Sequence, residues 1–298
     1  MAYSLLVNKP AAVNPRHKPS EEVSVLKFSV TAAESVPRTA PILLRGDLYK
    51  SIDTAIEIGY AFMEIHIRTA DQVDSIRMTD YCKERDFRIS TIGTGMGYVL
   101  DKLSLTDVQR SVRNEAVQRL KTHIDLAEKL ECGVIIGSMK GSIPDMNDYH
   151  RYEHYCLDCM KQLADYAGSK KVSLYFEVIN RYEVNFLNSI ENTLEFITKV
   201  NNPWVSILID TFHMNIEEKN FAESIAQCGN MLGHVHVADS NRMYPGGGHI
   251  DFVQVLKALE NINYEGYVAL ECLPAPDPYT AALNGLSFLQ DLYHKRIS

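Results

Sequence analysis

The chain has 298 residues, a formal charge of −8 and 46% hydrophobic residues, enough for one large core at a length that α/β barrels reach as a unit. The negative charge excludes nucleic acid as a bulk partner, because phosphate binding needs a basic face. No run of about 18 apolar residues occurs, which excludes a transmembrane helix and argues against a membrane partner.

Residues 1–22 open with MAYSLLVNKP, which lacks the basic start and sustained apolar stretch of a secretion signal. They continue through Asn14-Pro15-Arg16-His17-Lys18-Pro19 and read as an N-terminal arm outside the main fold. Residues 23–298 read as the catalytic domain. Strands are predicted over 25–30, 61–67, 87–92, 133–138, 172–178, 205–210, 232–237 and 267–272. Helices are predicted over 47–58, 73–85, 107–130, 147–168, 187–200, 219–227, 250–261 and 279–294. Gly59, Gly133 and Gly266 stand just before strands, where the entering loop commonly needs a glycine. Asp47, Thr106 and Asn188 are predicted N-caps. Eight strands alternating with eight helices predict an α/β fold, a single-domain (β/α)8 TIM barrel, with a doubly wound open sheet as the alternative. Of the six cysteines, only Cys156 and Cys159 form a Cys-x-x-Cys pair. It lies in a helical stretch and reads as packing rather than a zinc site. Scattered cysteines without a secretion signal predict a reducing, cytoplasmic setting.

Four apolar runs in the second half end in metal-liking residues: Glu177, Asp210, His236 and Glu271. The gaps between them are 33, 26 and 35 residues, close to the roughly 30 residues of one βα unit. On consecutive parallel strands of a barrel, such residues converge at the C-terminal face, where barrel chemistry sits. Like charges gathered there repel unless a cation or protons neutralise them. Three carboxylates and one imidazole suit a divalent ion such as Mn²⁺, with Mg²⁺ or Co²⁺ as alternatives. His234 and His236 are two apart and point to one side of their strand, which places His234 one layer deeper, as a packing or supporting group. The imidazole of His236 needs an acceptor for its other N–H, and the sequence does not name one.

Polar loops follow these runs. Asp210 precedes Thr211-Phe212-His213-Met214-Asn215, so His213 is expected in the loop beyond the strand. Glu177 precedes a loop with Asn180, Arg181 and Glu183, and His236 precedes Asp239, Ser240, Asn241 and Arg242. An imidazole, a carboxylate and a cation on such loops can grip a polyol through directional hydrogen bonds. Pro245-Gly246-Gly247-Gly248-His249 admits either a tight turn or a backbone cradle for phosphate.

The strings Asp210-Thr-Phe-His-Met-Asn-Ile-Glu-Glu218, Glu177-Val-Ile-Asn-Arg-Tyr-Glu183 and His234-Val-His-Val-Ala-Asp-Ser-Asn-Arg242 resemble the ketose 3-epimerases. These are the D-tagatose and D-psicose 3-epimerases of the xylose isomerase-like barrel superfamily. The resemblance runs from about residue 170 to 275 and is architectural only over 23–169. It implies a Mn²⁺-type ion held by Glu177, Asp210, His236 and Glu271, and sugar contacts from Glu183, His213 and Arg242. It also implies a homo-oligomer, dimer or tetramer. The first half departs from these enzymes around Thr91-Ile-Gly-Thr-Gly-Met-Gly-Tyr98, so the identity of the sugar stays open.

Inverting C3 of a 2-ketose requires removal of a proton made acidic by the neighbouring carbonyl, then reprotonation of the cis-enediolate from the opposite face. Glu177 and Glu271 are the expected acid–base pair, with Asp210 and His236 mainly holding the ion. The alternatives are an aldose–ketose or hydroxy-keto acid isomerase, a metal-dependent dehydratase or decarboxylase, and a nonenzymatic binding module. An endonuclease would need more histidines and a basic face.

Overall fold

The computed structural model describes residues 26–297; the arm expected over 1–22 lies outside the described residues. Nine strands run in chain order: β1 (Lys27–Ala33), β2 (Leu44–Arg45), β3 (Phe62–His66), β4 (Arg88–Gly93), β5 (Gly133–Ile136), β6 (Leu174–Glu177), β7 (Val205–Asp210), β8 (Leu232–Val237) and β9 (Tyr267–Leu270). Ten α-helices alternate with them: α1 (Leu48–Ile58), α2 (Ser75–Glu84), α3 (Met96–Val99), α4 (Arg110–Leu130), α5 (Tyr149–Lys170), α6 (Ile190–Val200), α7 (Thr211–Glu217), α8 (Phe221–Cys228), α9 (Phe252–Asn261) and α10 (Pro278–Ile297). Every strand pairing is parallel, and β1 pairs with both β3 and β9. That last pairing closes an eight-stranded barrel and rules out the open sheet; β2 only extends the C-terminal end of β1.

The helices pack on the outside of the barrel through their apolar faces, as period-3.6 patterning requires. Ile52, Ala55, Leu120, Ile124, Phe196 and Leu256 are buried there against outward strand residues such as Val30, Ile65, Phe176 and Val235. Cys156 and Cys159 lie on the buried face of α5 as free thiols.

The barrel interior is layered. At the N-terminal end aromatic rings fill it: Phe62 against Tyr267 at 5.0 Å and Tyr175 stacked on His234 at 5.3 Å. Above them lie hydroxyls and a carboxylate, with Ser29 and Ser90 bonded at 2.8 Å and Thr91 donating to Glu64. The top layer holds His66, Glu177, Asp210, His236 and Glu271.

Several boundaries differ from the sequence-based expectation. β1 runs to Ala33 rather than stopping at 30, because pairing with β2 and β3 compensates the poor strand propensity of Ala32 and Ala33. Asp47 caps α1, accepting from the Lys50 N–H at 2.9 Å, and Gly59 ends it at φ 112°. Thr106 is not a cap. It is buried, bonded to Ser104 and the Ser142 carbonyl, and α4 starts four residues later. Asn188 is not a cap either. Ser189 caps α6, while the Asn188 amide donates to the carbonyls of Ile179 and Val184. The segment after Asp210 forms α7, so His213 sits in a helical first turn and not in a loop. Asp210 itself caps α7, accepting from the Phe212 N–H at 2.8 Å. A carboxylate closing an apolar strand carries no separate sequence sign that it also caps the next helix.

Gly233 is fitted to the aromatic layer: a Cβ there would meet Tyr175 and Ser206, each at 2.6 Å. Gly233→Ala is therefore expected to lose about 1–3 kcal/mol of stability from overpacking. Urea unfolding followed by circular dichroism would read this as a lower midpoint with an unchanged slope, and an unshifted midpoint would show that the layer can move aside.

Candidate active site

Parallel pairing sets the C-terminal ends of β6 to β9 at one level, and each delivers one polar side chain to the barrel axis. Glu177, Asp210, His236 and Glu271 are all buried, and each offers a ligand atom within 4.8 Å of the others. Gly137, at the end of β5, makes room for this arrangement, since a Cβ there would collide with the Glu177 carboxylate.

The His236 Nδ1 lies 3.5 Å from Glu177 Oε1 and 3.5 Å from Glu271 Oε2. Among the described residues it has no hydrogen-bond partner, and neither does Asp210 Oδ2. Buried polar atoms are seldom left this way, and these two lie in the same cluster as the flanking carboxylates. Asp210 divides its labour: Oδ1 caps α7 and Oδ2 is left over. Three carboxylate oxygens and one imidazole nitrogen are the donor set of a divalent cation, so the residues fit a metal ion.

The acceptor that the sequence did not reveal is Glu64, on β3. Its carboxylate is fully buried and takes His236 Nε2 at 3.1 Å, His234 Nε2 at 2.8 Å, His66 Nε2 at 2.7 Å and the Thr91 hydroxyl at 2.5 Å. Four donors saturate a carboxylate. The three rings therefore carry protons on Nε2, and His236 turns Nδ1 to the centre. Burial would raise Glu64, yet the imidazoles hold it well below the usual carboxylate range. The Glu64/His234/His236 and Glu64/His66/Glu271 groupings are close enough for metal, but Glu64 has no lone pair to spare. The only trace in the sequence was the Glu64-x-His66 alternation, which puts both residues on one side of a strand.

Burial pushes Asp210 up, and the charges of Glu271 and Glu177 add to it, reaching about 7. Burial also raises Glu177, with His236 opposing and Glu271 reinforcing. Burial acts the same way on Glu271, but His236, His66 and Arg242 outweigh it and hold that carboxyl below its ordinary value. His236 is shifted down by burial, yet Glu64 and Glu271 hold it well above the usual imidazole range.

His213 is buried on α7, with Nε2 3.7 Å from Asp210 Oδ2 and 4.0 Å from Glu177 Oε1. Burial keeps its pKa well below the ordinary value, so the ring is neutral. The Asn180 Oδ1 accepts from Tyr182 N–H, which orients the amide so that Nδ2 donates to His213 Nδ1 at 2.7 Å. The His213 proton is thereby on Nε2. Arg242 donates to Glu183 at 2.7 Å and stacks over Phe212 at 4.7 Å. A cavity of about 370 Å³ opens over the cluster. His66, Glu177, Glu183, His213, Arg242 and Glu271 line it, together with apolar side chains such as Val36, Ile42 and Met96 and the hydroxyl residues Thr39 and Ser138. The structure thus brings all seven sequence-derived site residues to one place and adds Glu64, His66 and Asn180. The glycine-rich loop holds no anion cradle: the Asp239 carboxylate already accepts from the N–H groups of Ser240, Gly246 and Ile250.

The profile of the family described as xylose isomerase-like TIM barrel matches residues 52–292. The chain belongs to the xylose isomerase-like TIM-barrel family. Within that family it is 32% identical over 250 residues to an L-ribulose 3-epimerase of Methylomonas sp., covering 82% of this chain and 85% of the relative. A D-psicose 3-epimerase of Agrobacterium fabrum is 40% identical over 228 residues, 74% of this chain and 77% of that one. Among solved structures, a D-allulose 3-epimerase from Methylomonas sp. in complex with D-allulose superposes with a TM-score of 0.77 at 26% identity, covering 90% of this chain and 97% of that one. Relatives named as epimerases place this family member among enzymes of the isomerase class. Among the described residues no helix is long and apolar enough to cross a membrane.

Two measurements probe the site directly. Glu64→Gln replaces an acceptor oxygen with a donor and is expected to weaken Mn²⁺ binding by about 10–100-fold; unchanged affinity by calorimetry would show that Glu64 does not orient His236. Near neutrality Asp210 and His236 both hold protons that a metal must displace. Affinity should therefore rise as pH increases through about 7, where Asp210 deprotonates. Calorimetry in buffers of different ionisation enthalpy should find proton release falling across that window.

Proposed function

We propose that the chain is a divalent-metal-dependent ketose 3-epimerase that inverts C3 through a cis-enediolate, with Glu177 and Glu271 as the acid–base pair. The observation that carries this reading is the placement of the two glutamates. They rise from β6 and from the end of β9, flank the unpartnered His236 Nδ1 at equal distance, and both border the cavity. A planar intermediate lying between them has one carboxylate on each face.

Glu177, Asp210, His236 and Glu271 would hold the ion, Mn²⁺ with Mg²⁺ or Co²⁺ as alternatives. When bound, the ion supplies positive charge that acidifies the C–H beside the ketose carbonyl. Glu177 or Glu271 takes the C3 proton, according to the direction of reaction, and the opposite carboxyl returns one to the other face. Their unlike proton affinities support this division: Glu177 is raised and Glu271 lowered. His213, neutral with its proton on Nε2, donates to a sugar oxygen. Glu183 and Arg242 bind a hydroxyl between them while neutralising each other.

The relatives reported above are named for L-ribulose, D-psicose and D-allulose, and the cavity agrees with an unphosphorylated sugar. Its lining holds one full cation, Arg242, already paired to Glu183, and the glycine loop spends its N–H groups within the chain, Gly246 on Asp239, Gly247 on the Tyr244 carbonyl and His249 on the Ser240 hydroxyl. All six cysteines are free and buried, which supports the expected cytoplasmic setting, and a homo-oligomer remains part of the proposal.

The test is NMR of Mn²⁺- or Mg²⁺-loaded protein in D₂O with fructose, psicose, tagatose, sorbose, ribulose and xylulose. Deuterium at C3 together with the C3 epimer is the expected result. Exchange at C1 with an aldose product would replace the proposal with an aldose–ketose isomerase. Glu177→Gln and Glu271→Gln are each expected to lower turnover by at least about 10²–10⁴-fold, the contribution of a positioned acid–base group, with the circular dichroism spectrum unchanged. Near-normal turnover in either variant would rule out the two-base scheme.

A further inference from the structure

Lys140 is among the largest fully buried side chains of the described residues, and the reaction as derived does not use it. It ends a short 3₁₀ turn, Ser138–Lys140, after β5. Its Nζ donates to the backbone carbonyls of Glu177 at 2.9 Å and Leu187 at 3.0 Å. The Phe176 ring lies 5.7 Å away, and no carboxylate among the described residues is within ion-pair distance. A lysine amine taken out of water is costly unless its donors are used, so what it holds is informative.

The two carbonyls mark the ends of the segment 178–187, which joins β6 to the start of α6. This segment places Ile179 and Glu183 in the cavity wall and Asn180 on His213. Leu187 is buried with φ 52°, a left-handed conformation that a leucine adopts only when its surroundings impose it. Its carbonyl is held by Lys140 and by the Thr193 hydroxyl at 3.3 Å. A second tie joins the same two loops, for the Asn185 amide exchanges two hydrogen bonds with the backbone of Ile143, at 2.7 and 2.8 Å.

We propose that Lys140 is a positioning residue: by gripping both ends of 178–187 it closes that segment into a fixed loop and sets the aim of the Glu177 carboxylate and of Glu183. Its kinetic consequence rests on the epimerase reading, whereas its effect on the loop does not. Glu177 is anchored at its own carbonyl, so releasing the Lys140 amine frees the strand end that carries the base. The Glu183 side chain is tied to Arg242 and Asn180, but its backbone is held by the loop, so the same release shifts the sugar contact.

The experiment compares wild type, Lys140→Met and Lys140→Gln by hydrogen–deuterium exchange and by steady-state kinetics on the ketose accepted by the wild type. Methionine matches the length and removes the donors, while glutamine keeps an N–H on a shorter stem. In Lys140→Met, exchange should accelerate across 178–189 and stay at the wild-type level in β7 to β9. Its kcat/KM should fall on the order of a hundredfold, the cost of a misplaced reacting group, with kcat lower and KM higher. Lys140→Gln should recover part of both effects. Wild-type exchange in 178–189 with unchanged kcat/KM would overturn the proposal. So would a uniform loss of protection through the barrel in both variants, which would make Lys140 a core residue without a local role. If the wild type turns over no ketose, the function proposed above fails, and the exchange pattern alone still decides whether Lys140 closes the loop.

Discussion

The fold gathers three carboxylates and an imidazole, all buried, at one point on the barrel axis, and most of the local structure answers to that crowding. Parallel strands of matched register leave little freedom in where their ends fall, so Glu177, Asp210, His236 and Glu271 meet once the barrel closes through β1 and β9. Like charges at such range cannot all remain ionised in a dry setting. The site relieves the repulsion in ways visible without any ion: Asp210 rises to about 7, Glu177 rises, and His236 takes up positive charge. A divalent cation would replace those protons with charge at the centre.

Beneath the centre, the barrel is polar where most barrels of this size are packed with branched aliphatic residues. Glu64 explains the departure. One ionised carboxylate ties three imidazoles and a hydroxyl into a single buried network. Such a network is tolerable because its charged acceptor is fully used, with the Nδ1 of His234 left without a hydrogen bond among the described residues. The result is an imidazole whose tautomer and rotation are set from below. Above the centre, Lys140, Asn180 and Asn185 do comparable work on the β6–α6 loop with neutral acceptors, so the groups that face the cavity are held from behind by groups that do not.

The cavity is of mixed character. Val36, Pro41, Ile42, Met96 and Val99 line it together with Thr39, Ser138 and the charged and imidazole groups of the centre. Under the proposed function those charged groups would hold the reacting carbons of a sugar rigidly, as the chemistry demands.

Strand and helix alternation, and the four strand-end residues that meet on the barrel axis, were legible because both depend on local periodicity: a roughly 30-residue βα spacing and a polar residue closing an apolar run are properties of the chain order. Glu183, His213 and Arg242 were legible through their strings rather than their spacing. Tertiary structure alone decided the rest. Glu64 sits mid-strand in Phe-Met-Glu-Ile-His, where a buried carboxylate is intelligible only once His234 and His236, about 170 residues later, lie beside it. Lys140 reads as an ordinary loop lysine until the carbonyls of Glu177 and Leu187 close around it. Thr106 and Asn188 look like caps because their side chains favour caps, and they were diverted by neighbours distant in sequence or folded back within one loop. Sequence reports what each residue prefers locally; which of those preferences is satisfied depends on the partners that closure of the barrel supplies.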